Sequence, residues 1–203
     1  MHLVPTQDEV ISLLTDTGAL RYGHFEYPNG LHGNEYLQVA LAMRYYQHAK
    51  TLSVGLSRLV RANPEIRAII AELSIVTPAT GGLPVAYGVS EALRSHQVYW
   101  AEDAPDGGLR FRQFLELVPG EKVLLVDDIL RTGKKLMQLR QLVERSGGQV
   151  VGLAVVVYQP TPTTPDFSPL PFYYLAKLEG IYYRDASACE LCRANVPLQK
   201  VWI

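Results

Sequence analysis

Two adjacent aspartates followed by a basic turn are the part of the sequence best suited to chemistry. Asp127 and Asp128 come directly after the apolar run 123–126, and the turn 131–135 (RTGKK) follows two residues later. A carboxylate pair binds the vicinal hydroxyls of a sugar or holds Mg²⁺ through water. Backbone N–H groups at a helix start, together with a threonine hydroxyl, suit a phosphate monoester. The spacing therefore predicts a site for a phosphorylated sugar.

Simpler roles exist for the same residues. An aspartate at a strand end commonly caps the next helix, and paired lysines commonly lie on a solvated surface. A receiver-type domain also places a phosphoacceptor aspartate at a strand end. The aspartate pair alone favours these structural readings, and only the longer pattern that includes the turn favours a ligand site.

A second turn carries adjacent glycines. The segment 77–84 (TPATGGLP) follows a short apolar run and precedes a helical pattern. Glycine lets backbone N–H groups approach an anion closely or adopt positive φ. On its own this turn is weak support for an anion site, but it stands at the same kind of strand-to-helix junction as the aspartate segment.

The remaining sequence supplies the elements that must position these turns. Short apolar runs alternate with helical patterns, which predicts an α/β fold with a parallel sheet covered on both faces. In such sheets ligands bind beyond the carboxyl ends of the strands. Residues 20–38 are rich in glycine, asparagine and aromatic side chains, which predicts a hairpin and loop. The predicted strands are 73–76, 97–101, 123–126, 150–158 and 172–178, and the predicted helices are 41–61, 84–95 and the segment after Gly133.

Composition narrows the class of protein. The chain has 203 residues, of which 48% are apolar and 19% charged, so it suits one ordinary domain. A net charge of −1 gives no basic field for nucleic acid. No apolar stretch has the length of a membrane span, and the first residues lack the pattern of a secretion signal. We expect a cytoplasmic protein that binds neither nucleic acid nor membrane.

The string 123–133, four apolar residues followed by DDILRTG, resembles the signature of type I phosphoribosyltransferases that binds phosphoribosyl pyrophosphate (PRPP). The resemblance implies that the two acids contact the ribose hydroxyls, that the turn holds the 5′-phosphate, and that the glycine turn approaches the pyrophosphate. Basic residues stand where the family usually has small ones in the phosphate turn. The implied PRPP-binding residues are Asp127, Asp128, Arg131, Thr132, Gly133, Lys134, Lys135, Ala79, Thr80, Gly81 and Gly82.

Over nearly its whole length the chain is similar to orotate phosphoribosyltransferases. The resemblance implies transfer from PRPP to orotate, with Mg²⁺ bound through PRPP and water near Asp127 and Asp128. It also implies a homodimer that shares a mobile loop, which corresponds to residues 100–114. We expect a single domain, 1–203, with a core at about 41–171 and a small hood from about 18–40 and 172–203. The implied base-binding residues are Phe25, His32 and Tyr36, and the implied catalytic residues are Asp127, Asp128, Arg110 and Arg112.

The mobile loop departs from the family pattern. Glu102 and Asp103 stand where relatives commonly carry basic residues, which leaves Arg110 and Arg112 as the cations for the departing pyrophosphate. Two alternatives to orotate transfer therefore stay open. One is a non-catalytic regulatory protein that binds PRPP or a nucleotide, and the other is a phosphoribosyltransferase for another base, as in purine salvage.

Two cysteines have the spacing of half a structural zinc site. Cys189 and Cys192 would need two further ligands, and no histidine or cysteine lies nearby in sequence. A metal would thus require ligands from a second chain, and the alternative is a buried or redox-idle thiol pair. His24 and His32 lie in the segment predicted to bind substrate, where isolated histidines commonly make surface or hydrogen-bonding contacts.

Overall fold

The computed structural model describes residues 4–112 and 115–201. Its N-terminal helix begins at a capping box: the Thr6 hydroxyl accepts the N–H of Glu9 at 3.2 Å, and the Glu9 carboxylate accepts the N–H of Thr6 at 2.7 Å. The helix predicted over 41–61 is two helices, because the backbone at Tyr45 is extended. The elements of this region are α1 (Gln7–Asp16), β1 (Leu20–Glu26), β2 (His32–Leu37), α2 (Ala40–Met43), α3 (Tyr46–Ala62), α4 (Pro64–Ile69) and a 3-10 turn at Ile70–Glu72.

A six-stranded sheet forms the core. Five neighbouring strands run parallel, and a short sixth strand joins one edge antiparallel. This confirms the predicted α/β fold with a mostly parallel sheet of about five strands. The elements are β3 (Ser74–Pro78), α5 (Gly82–Leu93), β4 (Gln97–Asp103), β5 (Leu109–Arg110), β6 (Lys122–Leu130), α6 (Lys134–Arg145), β7 (Gln149–Tyr158) and β8 (Phe172–Lys177), and the strand order is β5-β4-β3-β6-β7-β8.

Helices cover both faces of this sheet, which explains its continuous apolar strands. Along β6, Leu124 and Val126 belong to the cluster formed with α3 and α5, whereas Val123 and Leu125 belong to the cluster formed with α6. Alternate side chains thus enter opposite layers, as the two-residue period of a strand requires. Within the described ranges no helix has both the length and the apolar character needed to cross a membrane.

A four-stranded sheet, which we call the hood, sits apart from the core sheet. Its order is β10-β1-β2-β9, with β9 at Tyr182–Tyr183, a short helix α7 at Glu190–Arg193, and β10 at Leu198–Lys200. Phe25, Tyr27, Tyr36 and Val201 form its apolar cluster. The C-terminal part of the hood does not begin at residue 172 as expected, because β8 pairs with β7 in the core sheet.

Candidate active site

A cleft of about 460 Å³ opens at the carboxyl ends of β3 and β6, where a parallel sheet is expected to bind ligands. It brings together the aspartate pair, the glycine turn, the phosphate turn and the end of β2. The sequence assigned the first three of these to one site, and the cleft confirms that they are adjacent. Its lining residues are 36–38, 40, 78–81 and 127–136.

The two aspartates form one wall of the cleft at the end of β6. Asp127 is only 7% exposed, and its Oδ1 accepts the backbone N–H of Asp128 at 2.8 Å. Asp128 in turn accepts the N–H of Ile129 at 2.8 Å. Burial, followed by the neighbouring charge of Asp128, raises the pKa of Asp127 well above its usual range. Burial also raises the pKa of Asp128. The pair is therefore poorly hydrated and gains from a ligand that supplies hydroxyl donors or positive charge.

The glycine turn lies directly against these carboxylates. A Cβ atom on Gly81 would be 2.8 Å from Asp128 Oδ2, and one on Gly82 would be 2.1 Å from Thr77 Oγ1 and 2.9 Å from Asp127 Oδ1. Only glycine fits at both positions without displacing a side chain. The Ala79–Thr80 peptide bond is cis, and the Ala79 N–H donates to the Ala101 carbonyl at 2.8 Å. These contacts set the turn within reach of whatever the aspartates bind.

The phosphate turn runs from β6 into α6. Gly133 has φ +73°, and a Cβ atom there would lie 2.6 Å from Pro165 Cδ, so both the backbone and the space require glycine. In the described part of the chain no side chain caps α6, whose first residues line the cleft. The first N–H groups of a helix have no partner within it and carry the positive end of its dipole. The turn therefore suits an anion.

Arg131 is anchored to the hood. Its Nε donates to Gln159 Oε1 at 2.9 Å, and Gln159 Nε2 donates to Glu35 Oε2 at 2.8 Å. The guanidinium carbon also lies 5.7 Å from the centre of the Tyr27 ring. Gln159 has no exposed surface. The Arg131 side chain is thus held between the two sheets. The backbone of the turn is then left to face the anion.

The two lysines of the turn are exposed, and one of them is paired. Lys135 forms an ion pair with Asp103 at the end of β4, and its positive charge also favours the ionised form of Asp127. Lys134 has no such contact among those described and lies at the first position of α6. The charge of Asp103 in the loop is therefore neutralised by Lys135 of the phosphate turn.

The two arginines predicted to be catalytic do not line the cleft. Arg112 forms an ion pair with Glu102 at 2.8 Å. Together with Arg110 it borders a separate surface hollow whose lining residues are 110–112, 115–117, 142 and 146. The rest of the mobile loop, residues 113 and 114, is outside the described residues. Within one chain Arg110 and Arg112 thus lie outside the cleft lining, and their catalytic role stays a prediction.

Of the three residues predicted to contact a base, only Tyr36 lines the cleft. Its hydroxyl donates to Gln38 Oε1 at 3.2 Å, and the Arg21 guanidinium carbon lies 4.7 Å from the centre of its ring. Phe25 is 1% exposed and packs in the apolar cluster of the hood. His32 is 4% exposed and faces His24 and the cysteines. The predicted base contacts of Phe25 and His32 are therefore not seen here, since both side chains pack inside the hood.

The sequence analysis did not predict several residues of the site. Gln38 and Leu37 line the cleft directly, while Glu35 and Gln159 hold Arg131 from behind it. Glu35 and Gln159 are 124 residues apart in sequence, so no local pattern connects them. Position at the end of a strand is the sequence feature that could have indicated a role in the site. Gln159 is the first residue after the buried strand β7, and Gln38 is the first residue after β2.

Comparison with known proteins agrees with this geometry. A family model described as a phosphoribosyl transferase domain matches residues 65–170. The orotate phosphoribosyltransferase of Acidithiobacillus ferrooxidans is 35% identical over 191 residues, which cover 94% of this chain and 93% of the relative. That of Thermus thermophilus is 32% identical over 193 residues, covering 95% and 100%. A solved structure of the Mycobacterium tuberculosis orotate phosphoribosyltransferase with inorganic phosphate superposes with a TM-score of 0.63 at 20% identity, over 85% of this chain and 95% of that one.

Proposed function

Because the chain belongs to the phosphoribosyltransferase family, we propose that it transfers the phosphoribosyl group of PRPP to orotate, releasing pyrophosphate and forming orotidine 5′-monophosphate. The observation that carries the proposal is the cleft in which the aspartate pair, the glycine turn and the phosphate turn meet. Relatives that are 32–35% identical over most of the chain are orotate phosphoribosyltransferases. The activity is thus a pentosyl transfer in pyrimidine biosynthesis.

The phosphate turn would fix one end of PRPP. The N-terminal turn of α6 meets the 5′-phosphate with backbone N–H groups and the positive end of the helix dipole. Gly133 lets the turn close tightly, since its φ is positive. Asp127 and Asp128 accept hydrogen bonds from the two ribose hydroxyls on the wall beside it. The ribose is then held at both its phosphate and its diol.

Displacement occurs at the anomeric carbon between these contacts. A ring nitrogen of the base forms the new bond as the bond to pyrophosphate breaks, and the ribose gains cationic character in the transition state. The nearby aspartates stabilise that positive charge electrostatically. The glycine turn, whose residues 79–81 line the cleft, would approach the pyrophosphate with its backbone, and Lys135 adds positive charge to the lining.

Mg²⁺ fits this site as a proposed cofactor. Hard oxygen ligands are what this ion prefers, and it is usually held by one or two carboxylates, water and the substrate's own phosphates. Asp127 and Asp128 offer carboxylate oxygens at the wall of the cleft, and both have raised pKa values that a nearby cation would lower. When bound through PRPP, the ion would neutralise the charge of the departing pyrophosphate.

The base would enter beneath the hood. Tyr36, Leu37 and Gln38 line the cleft from β2 and its end, so an aromatic residue and an amide belong to the same cleft as the aspartates. An aromatic face stacks on a planar base, and an amide pairs with carbonyl and N–H groups on the base edge. These residues fit a pyrimidine with several carbonyl oxygens.

A base panel tests the proposed reaction. Pyrophosphate release from PRPP and Mg²⁺ is measured with orotate, uracil, adenine, guanine and hypoxanthine as acceptors. We expect turnover with orotate and little with the others. Turnover with a purine instead would favour the purine-salvage alternative. If PRPP binds and no base is consumed, the regulatory alternative replaces the enzyme.

Calorimetry tests the site assignment separately. Asp127→Asn combined with Asp128→Asn removes two charged acceptors, each worth about 1.5–3 kcal/mol, so PRPP affinity in the presence of Mg²⁺ should fall by about 100-fold or more. Asp16→Asn is the matched control, because Asp16 is an exposed residue at the end of α1, outside the cleft lining, whose side chain accepts the Ser12 hydroxyl. Unchanged PRPP binding in the double variant would overturn the roles given to the pair.

Assembly and location are further parts of the proposal. We propose a homodimer, in which the loop around 104–112 reaches the cleft of the other chain and so brings Arg110 and Arg112 to the pyrophosphate. Light scattering after size exclusion should give twice the mass of 22.6 kDa. Catalytically dead Asp127→Asn/Asp128→Asn chains mixed with Arg110→Ala/Arg112→Ala chains should regain activity. We propose a cytoplasmic location because PRPP is a highly charged metabolite that does not cross membranes unaided, and cell fractionation tests it.

A further inference from the structure

Four side chains with metal-binding atoms converge on one point of the hood, away from the cleft. His24 lies on β1 and His32 on β2, while Cys189 precedes α7 and Cys192 lies within it. Their ring nitrogens and sulfurs all lie within 4.8 Å of one another. The sequence had suggested that ligands for the cysteines must come from a second chain. Folding instead supplies two histidines from the same chain, 157 to 168 residues away.

The distances match a tetrahedral zinc site. His24 Nε2 lies 2.9 Å from His32 Nδ1, 3.4 Å from Cys189 Sγ and 3.6 Å from Cys192 Sγ. Cys192 Sγ lies 3.4 Å from His32 Nδ1. With Zn–N of about 2.0–2.1 Å and Zn–S of about 2.3 Å, a tetrahedron has edges of about 3.3–3.8 Å between its ligand atoms. These four distances are within about half an ångström of those edges, and all the ligand atoms lie within 4.8 Å of one another.

The hydrogen bonding of His24 prepares it as a ligand. Its Nδ1 lies 2.9 Å from the Val196 carbonyl oxygen, which can only accept, so Nδ1 carries the proton. The lone pair is then on Nε2, the atom that faces the cysteines and His32. A backbone carbonyl that fixes the tautomer of a ligating histidine is the usual support for a metal site.

Burial and ligand type indicate the kind of metal. His24 is 1% exposed, His32 4% and Cys189 0%, so the cluster is closed to solvent on most sides. Two thiolates and two imidazoles select zinc over magnesium or calcium, which prefer oxygen. With four protein ligands no coordination position remains for a substrate. We propose that His24, His32, Cys189 and Cys192 bind a structural Zn²⁺ that joins the N-terminal hairpin to the C-terminal segment.

The consequence of such a link follows from how short the joined elements are. Helix α7 has four residues and β10 has three, and segments of this length do not hold their structure alone. β10 pairs with β1 through Leu198, Gln199 and Lys200, directly after the cysteine segment. The zinc would hold this segment in place against the same hairpin that brings Tyr36 and Gln38 to the cleft. It therefore acts as a cross-link, with no part in the transfer chemistry.

Metal content is the first test. Untagged protein, purified without chelators, should carry about one zinc per chain by elemental analysis. Cys189→Ala combined with Cys192→Ala should lose it, while His96→Ala, which removes an exposed histidine outside the cluster, should keep it. Substitution of Co²⁺ should give the intense visible bands and the sulfur-to-metal charge-transfer band of a tetrahedral thiolate site. The Co²⁺ spectrum uses the unmodified chain, so it decides the question even if the cysteine variant does not fold.

Stability is the second test, and like the first it does not depend on transferase activity. Removal of zinc with a chelator should lower Tm by about 5 °C or more, as expected when a bound ion that stabilises only the folded state is lost. Added Zn²⁺ should restore Tm, and added Mg²⁺ should not. Two results would overturn the proposal: wild-type protein with less than about a tenth of a zinc per chain and no Co²⁺ bands, or a Cys189–Cys192 disulfide in the freshly purified protein.

Discussion

The buried carboxylate of Asp127 carries a cost for the free protein that its ligand removes. Burial and the charge of Asp128 raise its pKa in the folded state above the value in the unfolded chain. The folded state therefore holds this proton more tightly than the unfolded chain does. The contribution to stability is complete below the unfolded pKa and is lost as pH rises through the folded pKa. Ionisation of this pair therefore destabilises the free protein, and a bound ribose with its cation would compensate.

Asp127→Asn should consequently stabilise the ligand-free protein while weakening PRPP binding. At pH 7 we expect the free energy of unfolding to rise by on the order of 1 kcal/mol, the usual size of a single-substitution effect, because the variant has no carboxylate to bury. The gain should shrink as pH falls, because the raised pKa lets the wild-type carboxyl take up its proton before an ordinary aspartate would. Urea unfolding between pH 4 and 8 measures this, with Asp16→Asn as control. A variant that is less stable than wild type across the whole range would contradict the argument.

Gly81 is the second position where a single atom matters. An added Cβ would lie 2.8 Å from Asp128 Oδ2, so Gly81→Ala should push that carboxylate out of place and narrow the route to the pyrophosphate. We expect kcat/KM for PRPP to fall by about 10- to 100-fold, equivalent to about 1.4–2.7 kcal/mol, with Tm nearly unchanged. Gly23→Ala is a matched control, because its Cβ would make only ordinary contacts of 3.4 Å with Phe25. Equal kinetics for Gly81→Ala and wild type would show that the turn does not approach the substrate.

Among the elements, the connection after β7 contributes more to the site than its composition suggests. The segment 159–171 is rich in proline, a composition typical of a surface loop. In the structure the Thr164 hydroxyl donates to the Arg131 carbonyl, and Pro165 packs over Gly133. Gln159 at its start joins Arg131 to Glu35 of the hood. The loop therefore supports the phosphate turn from outside and ties it to β2.

Gln159→Leu should show how much the hydrogen bonds from Gln159 to Arg131 and Glu35 contribute to stability. It leaves the Glu35 carboxylate and the Arg131 guanidinium without their shared partner, and an unsatisfied buried polar group costs about 1–3 kcal/mol. We expect unfolding free energy to fall by that amount and KM for PRPP to rise, because Arg131 loses its anchor. Glu35→Gln, which keeps an oxygen that can accept from Gln159, should cost much less.

A double-mutant cycle separates the energy of the Glu35–Gln159 hydrogen bond from the energy lost through poorer packing. Combining Glu35→Leu, which removes the acceptor, with Gln159→Leu should cost less than the sum of the two single changes, since residues in one network are coupled. Strict additivity would mean that the hydrogen bond between Glu35 and Gln159 contributes nothing to stability.

At the scale of the whole molecule, the two sheets contribute different residues to the site. The parallel sheet carries the aspartates and both turns, and it is buried under helices on both faces. The hood carries Tyr36 and Gln38 and depends on short strands with a small apolar cluster. Regions with few buried apolar contacts open at lower free energy than the core. The hood should therefore be the less stable unit and the one most sensitive to the proposed zinc.

Hydrogen exchange tests this division. After zinc is removed, amides of β1, β2 and β10 should exchange at least about 10-fold faster, whereas those of β3, β6 and β7 should keep their protection. Adding zinc back should restore the slow exchange. The Cys189→Ala/Cys192→Ala variant should exchange fast from the start and show no response to zinc. Uniform acceleration in both sheets would indicate one cooperative unit in place of two.

Much of the fold and the substrate cleft could be predicted because the features that encode them are local. The buried strand 123–126, the two acids and the glycine at 133 lie within eleven residues, and strand order in a parallel sheet places such turns at one edge. The glycines at 81 and 82 were assigned to the same edge for the same reason. The residues that bind PRPP remain predictions at the level of individual contacts, although their grouping in one cleft is a fact of the structure.

Only the tertiary structure decided which side of the hood each residue faces. The pairing of β1 with β2 shifts register between Tyr22 and Phe25, so the neighbours His24 and Phe25 are both buried, one beside the cysteines and one in the apolar cluster. A shift of one residue in a strand reverses every side chain, and no local pattern records it. The sequence alone determined the sheet and its cleft, because periodicity and motif spacing act over a few residues. The place of His32, the anchoring of Arg131 and the cluster at Cys189 required contacts over more than a hundred residues, and those exist only once both sheets have formed.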